Sequence, residues 1–196
     1  MNNSNTRKLV GMSILGATGF LLMMITFPVI PGFSFLKIDF SDIPILVGML
    51  LYGPWVGLGA AVIRTILHYI QTGGDMGYPI GDLASLLATI SFIFPLYYVI
   101  KNKLTLHRYI WASIIATTTL VIVMSVANWF VIMPLYLKLL NFEMGPINEL
   151  VLMGIAPFNL VKGVLVSAVS GVVVMRLLPV LQRKRIVKSG NANPTK

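Results

Sequence analysis

Long apolar stretches separated by short polar breaks fill almost the whole chain, and this pattern predicts six membrane-spanning helices. A span takes ~20 apolar residues, or somewhat fewer where it packs inside protein. The stretches fall at roughly 8–27, 43–52, 55–71, 80–101, 109–137 and 150–181. The second covers only ~15 Å at 1.5 Å per residue, so it either stops short of a full crossing or leans on a neighbour. Tyr52-Gly53-Pro54 marks the tight turn that follows it, because Pro stops a helix and Gly permits the reversal. The predicted fold is an all-α integral membrane protein, a six-helix bundle with an outer-face lid loop between the first two helices.

Composition agrees. Hydrophobic residues make up 57% of the 196 and charged residues 11%, against about 25% charged in a soluble domain. The chain reads as one membrane unit over 1–182 with a basic tail at 183–196 expected to be disordered. It has no cysteine, which excludes disulfides and thiolate metal sites. The first apolar run is too long for a removable signal peptide and lacks a small-residue cleavage site.

The net charge of +9 suggests nucleic acid until the positions are considered. Eleven of the fifteen cations (Arg7, Lys8, Lys101, Lys103, Arg108, Arg176, Arg183, Lys184, Arg185, Lys188 and Lys196) fall on one side of the predicted bundle. Lys37 and Lys138 fall on the other, and Arg64 and Lys162 lie within spans. The six acids (Asp39, Asp42, Asp75, Asp82, Glu143 and Glu149) lie on the cation-poor side or at its border. Positive charge stays inside, so both termini are expected in the cytoplasm, as an even number of crossings requires. The basic tail then reads as a topology anchor beside anionic lipid.

The outer loops differ in character. Residues 28–41 contain Pro28, Pro31 and Gly32, which break helix, and Phe33, Phe35, Ile38 and Phe40, which are too apolar for free solvent. Such a loop packs down as a lid or as a plug over the bundle. Ser41 and Asp42 read as the cap and first-turn acid of the second helix. In the loop 71–79, Gly73, Gly74 and Gly77 supply flexibility; a third outer loop spans 141–148.

Candidate chemistry lies in polar residues buried at a cost. A Lys in hydrocarbon costs at least ~2.5–3.5 kcal/mol, which makes Lys162 a site candidate. Asn159 lies three residues before it, on the same helix face. Counting from the outer ends, Asn159 and Asn128 both sit ~14 Å deep and Lys162 ~18 Å deep. Amides donate and accept while Lys only donates. Together they suit an edge of alternating carbonyl and N–H groups, such as an imide or pyrimidine-dione, or else a buried interhelical cluster. Arg64 and His68, four apart, form a second polar face that reads as structural or inter-subunit ahead of ligand-binding. Small residues four apart (Gly53, Gly57 and Ala61; Gly163, Ser167 and Gly171; Ser13 and Ala17) let helices approach closely.

Enzymatic motifs are missing. No G-x-x-x-x-G-K-[ST] cradle occurs. Gly57-Leu58-Gly59 has no preceding strand and carries Val62 where a dinucleotide fold needs Gly or Ala. His68 and His107 are the only histidines, too few for a His-rich zinc site, and no Gly-x-Ser-x-Gly elbow is present.

These segments resemble the riboflavin-binding substrate-capture (S) subunits of energy-coupling factor (ECF) vitamin transporters, over about residues 7–182. The carriers are Ser13-Ile14-Leu15-Gly16-Ala17, Phe27-Pro28, Ile38-Asp39-Phe40-Ser41-Asp42-Ile43-Pro44, Leu51-Tyr52-Gly53-Pro54, Asn128-Trp129 and Pro157-Phe158-Asn159-Leu160-Val161-Lys162-Gly163. The resemblance implies an outward-facing pocket capped by the first loop. It implies that Asn128, Asn159 and Lys162 bind the polar edge of a flavin, with Phe33, Phe35, Asp39 and Phe40 of the lid around it. It implies that Ser13 and Ala17 dock on a coupling transmembrane subunit, and that two ATPase subunits supply energy. Riboflavin would be the transported ligand, not a cofactor. Asp82 and Ser85 stand where the family has Glu and Asn, and are expected near the ribityl chain. An S subunit for thiamine or a pteridine-like ligand, or a stand-alone secondary carrier, are the competing readings. The carrier would need an inverted repeat and an intraspan carboxylate, neither of which the sequence offers.

Overall fold

The computed structural model describes residues 3–33, 35–140 and 145–190, with side chains for 5–33, 35–140 and 145–176. The molecule is helical almost throughout. Helix α1 spans Asn3–Met23, α2 Asp42–Tyr52, α3 Pro54–Thr72 and α4 Ile80–Ile100. Helix α5 (Leu106–Ala127) runs through a π-helical turn, Asn128–Ile132, into α6 (Met133–Leu140). The short α7 (Ile147–Glu149) leads through a second π-helical turn, Leu150–Ile155, into α8 (Ala156–Gly190). The predicted six rods are therefore present. The backbone of α8 carries on through the basic residues to Gly190, and residues 191–196 lie outside the described residues.

Three rods among the described residues are long and apolar enough to cross a membrane: Ile80–Ile100, Leu106–Leu140 and Ile147–Arg176. The short α2 does not lie at the rim. It packs on α1, α3, α4 and α8, and every residue from Asp42 to Met49 is buried. Helices α1, α3, α4 and α8 flank it, so this short helix is an interior element of the bundle. Gly57 makes this close approach possible, since a Cβ there would lie 2.8 Å from the Met49 side chain. Gly163 and Gly171 do the same for α8 on α5, where a Cβ would meet Thr117 and Tyr109 at 2.6 and 2.8 Å. The small-residue stripes of α3 and α8 are thus packing surfaces.

Local chemistry explains the element ends. Gly53, with φ 100°, takes a conformation that L side chains rarely adopt, and Pro54 opens α3 with its φ already helical. Gly73 closes α3 in the left-handed region and donates its N–H to the Tyr69 carbonyl at 2.8 Å. Gly74 and Gly77 also have positive φ, so the glycines of this loop answer a backbone demand and do not simply loosen it. Both π-helical turns end two residues before a proline, Pro134 and Pro157. A proline withholds an N–H from the ladder and its ring crowds the preceding turn; widening that turn relieves the clash.

The first helix stops at Met23, four residues earlier than its apolar run. The chain then forms a two-residue antiparallel ribbon, Phe27–Pro28 against Lys37–Ile38. The ribbon brings Asp39, Ser41 and Asp42 directly to the start of α2.

Candidate ligand-binding site

The interior polar groups converge where the lid loop enters α2. Arg64 of α3 is fully buried. Its Nη1 donates to Ser41 Oγ at 2.8 Å and to Asp42 Oδ1 at 3.1 Å, and its Nη2 donates to Thr89 Oγ1 of α4 at 2.9 Å. The Thr89 hydroxyl lies 2.6 Å from the same Asp42 oxygen and 3.0 Å from the Ser85 carbonyl. From the far side, Lys162 Nζ of α8 approaches Asp42 Oδ2 to 4.0 Å. Asp39, also buried, accepts the Ser41 N–H at 2.8 Å. Burial alone would raise the Asp39 carboxyl. Lys162, the Ser41 hydrogen bonds and Arg64 outweigh it and hold the group below its ordinary value. Two carboxylates thus face two cations, and the cluster is neutral as a whole. A buried cation without such partners would be strongly unfavourable.

Ser41 stands at the N-cap position and Asp42 in the first turn of α2, as expected, but the serine side chain does not cap the helix. Ser41 already has helical φ and ψ (−62°, −19°) and makes no side-chain cap bond. Its hydroxyl and the Asp42 carboxylate serve Arg64 instead. Arg64 is a structural residue, as one of the two readings had it, and is too deeply buried to meet another subunit. A charge count within the spans could have found this. Arg64 and Lys162 need anions, and Asp39 and Asp42 are the acids beside an apolar helix.

Asn128 and Asn159 are buried, 5% and 2% exposed, and each sits beside a π-helical turn. Their amide groups are fastened in the same way: Asn128 Nδ2 donates to the Met124 carbonyl at 2.7 Å, and Asn159 Nδ2 to the Ile155 carbonyl at 2.8 Å. Among the described residues, neither makes a side-chain bond across to another helix. Each amide oxygen is left as an acceptor, while Lys162 adds donors.

The lid loop closes over this region. Phe33 presses on the second π-helical turn, where a Cβ on Gly154 would lie 2.7 Å from its ring. Phe33 meets Phe35 edge-on at 6.1 Å between centroids, and Phe40 meets Phe27 at a tilt of 52° and 5.8 Å. All four lid residues named from the sequence therefore lie on this side of the bundle, with Asp39 inside the cluster.

Asp82 and Ser85 are placed differently. Asp82 is buried with Oδ1 2.6 Å from His68 Nδ1, so it already has a partner. Ser85 is half-buried, one turn before Thr89. Ser13 and Ala17 lie apart from the cluster, on the exposed face of α1. No group of metal-ligating side chains occurs among the described residues.

Known proteins carry the same architecture. Residues 7–174 match the family model for the ECF transporter substrate-specific component. A solved structure of the S component of a bacterial ECF transporter superposes with a TM-score of 0.76 at 34% identity, covering 90% of this chain and 98% of that one. The chain belongs to the substrate-specific components of ECF transporters. Its similar relatives include the riboflavin transporter RibU of Staphylococcus aureus, 35% identical over 93% of this chain and 96% of that protein. The riboflavin transporter FmnP of Bacillus subtilis is 33% identical, over 91% and 96%.

Proposed function

We propose that this chain is the riboflavin-binding subunit of an ECF-type vitamin uptake transporter. It captures riboflavin from outside the cell, and an ECF coupling subunit with two ATPase subunits drives delivery. The observation that carries this reading is the burial of Asn128, Asn159 and Lys162, on two helical rods that pack together, with Phe33 of the first loop against the second rod. The amide oxygens accept the ring imide N–H and the Lys162 ammonium donates to a ring carbonyl. Phe33, Phe35 and Phe40 cover a flat ring. Excluding water there strengthens each polar contact. The family membership and the riboflavin-transporting relatives support the ligand class. ATP chemistry is assigned to partner subunits.

Six crossings with both termini in the cytoplasm place the lid outside, in keeping with the charge distribution. The exposed Ser13 and Ala17 face of α1 is the docking surface for the coupling subunit.

The absorbance spectrum of the protein purified in detergent tests the ligand. Isoalloxazine bands that co-elute with it are expected. Protein that takes up thiamine or a pterin but no flavin would overturn the assignment. Ser13→Trp and Ala17→Trp should leave flavin binding intact and prevent assembly with the coupling subunit. Transport that survives either change would move the docking face elsewhere.

A further inference from the structure

Asp42 is an unusual carboxylate. It is 2% exposed, and its two oxygens are treated differently. Oδ1 is held by Arg64 at 3.1 Å and by Thr89 at 2.6 Å. Oδ2 has no hydrogen-bond partner among the described residues. The nearby Lys162 Nζ, at 4.0 Å, is beyond hydrogen-bond reach. A buried charged oxygen left without a donor is unfavourable, so Oδ2 needs a donor that the described residues do not supply.

The gap defines what that group must be. An oxygen ~2.8 Å from both atoms would see them at an angle of roughly 90°. It must donate to Oδ2 and accept from Nζ at once. Only a hydroxyl or a water does both through one atom. Resting on the riboflavin reading, a count of partners favours a ligand hydroxyl. The ring offers one N–H, which the amide oxygens of Asn128 and Asn159 already contest. The remaining acceptor has to be met by the polyol chain.

We infer that Asp42 is a ligand-binding residue: its free Oδ2, paired with Lys162 Nζ, holds a hydroxyl of the ligand's sugar-alcohol chain. Lys162 has three donors, so it serves this hydroxyl and a ring carbonyl together. The four-charge cluster then does more than neutralise itself. It fixes one carboxylate oxygen with Arg64 and Thr89 so that the other is presented to the ligand.

The test compares riboflavin with lumiflavin, which has the same ring and a methyl group in place of the chain. Affinities are read by flavin fluorescence in wild type and Asp42→Asn. The variant should bind riboflavin at least about tenfold more weakly while lumiflavin changes by less than about threefold. Equal losses for both ligands, or none for either, overturn the inference. If the variant does not fold, wild type is titrated with riboflavin analogues lacking one chain hydroxyl at a time. One deletion should cost about tenfold, and no deletion exceeding about threefold would overturn the inference. Failure of wild type to bind either flavin would instead strike the riboflavin reading.

Discussion

The α5–α8 contact has two ends, and they treat polarity in opposite ways. At one end Tyr109 is buried and its hydroxyl donates to the Ser167 carbonyl at 2.7 Å. It also meets Ser170 Oγ at 2.7 Å, which in turn reaches the Val166 carbonyl. That knot is neutral and joins one helix to the other. At the other end, among the described residues, Asn128 and Asn159 bond only to their own helices, both helices are π-wound, and Lys162 faces a carboxylate oxygen with no donor. The first end is a fastening between helices; the second is the candidate site, where the amides are held by their own helices and not by each other.

The largest break in that contrast should come from Arg64→Met. It strands Asp42 and Asp39 against Lys162 alone, and losing one member of a buried ion cluster costs ~3–5 kcal/mol. The melting temperature in detergent should fall sharply; a change of a degree or two would mean that the cluster is hydrated and not a true interior network. Next come Lys162→Ala and Asn159→Ala. Each should weaken flavin binding by ~1–3 kcal/mol, the cost of an unmet buried polar partner. Unchanged affinity in both variants would remove the pocket from this end of the bundle.

Tyr109→Phe sharpens the comparison from the other side. It should cost ~0.5–1.5 kcal/mol of stability and leave flavin affinity alone. Altered affinity would show that the two ends communicate. The smallest effect at neutral pH concerns titration. The Asp39 carboxyl is held below its ordinary value, so it binds fewer protons folded than unfolded. Its stabilisation is present above ~pH 4 and is lost as the pH falls through the lowered folded value. Melting curves taken downward from pH 6 should show an acid-side loss in wild type that is reduced in Asp39→Asn. Parallel curves would exclude this linkage.

Much of the site was legible residue by residue. Asn128, Asn159 and Lys162 stand out because amides and an ammonium are costly among apolar neighbours, and that cost is a property of the residue and its surroundings in sequence. The aromatic lid was legible for the converse reason, as apolar side chains on a loop. The cluster role of Asp42 was not legible. Beside Ser41, before an apolar run, a capping acid and a cluster carboxylate look the same, and only the arrival of Arg64 from 22 residues away separates them. The π-helical turns were not anticipated either, although Pro134 and Pro157 marked both places.

The sequence by itself determined the membrane class, the number of rods and the candidate residues, because burial in hydrocarbon and helical repeat are paid out locally along the chain. Tertiary structure alone decided which polar groups face one another. It put α2 at the centre, spent Asp82 on His68, and left one oxygen of Asp42 without a donor. Those outcomes depend on distances between residues far apart in the chain, which no local pattern encodes.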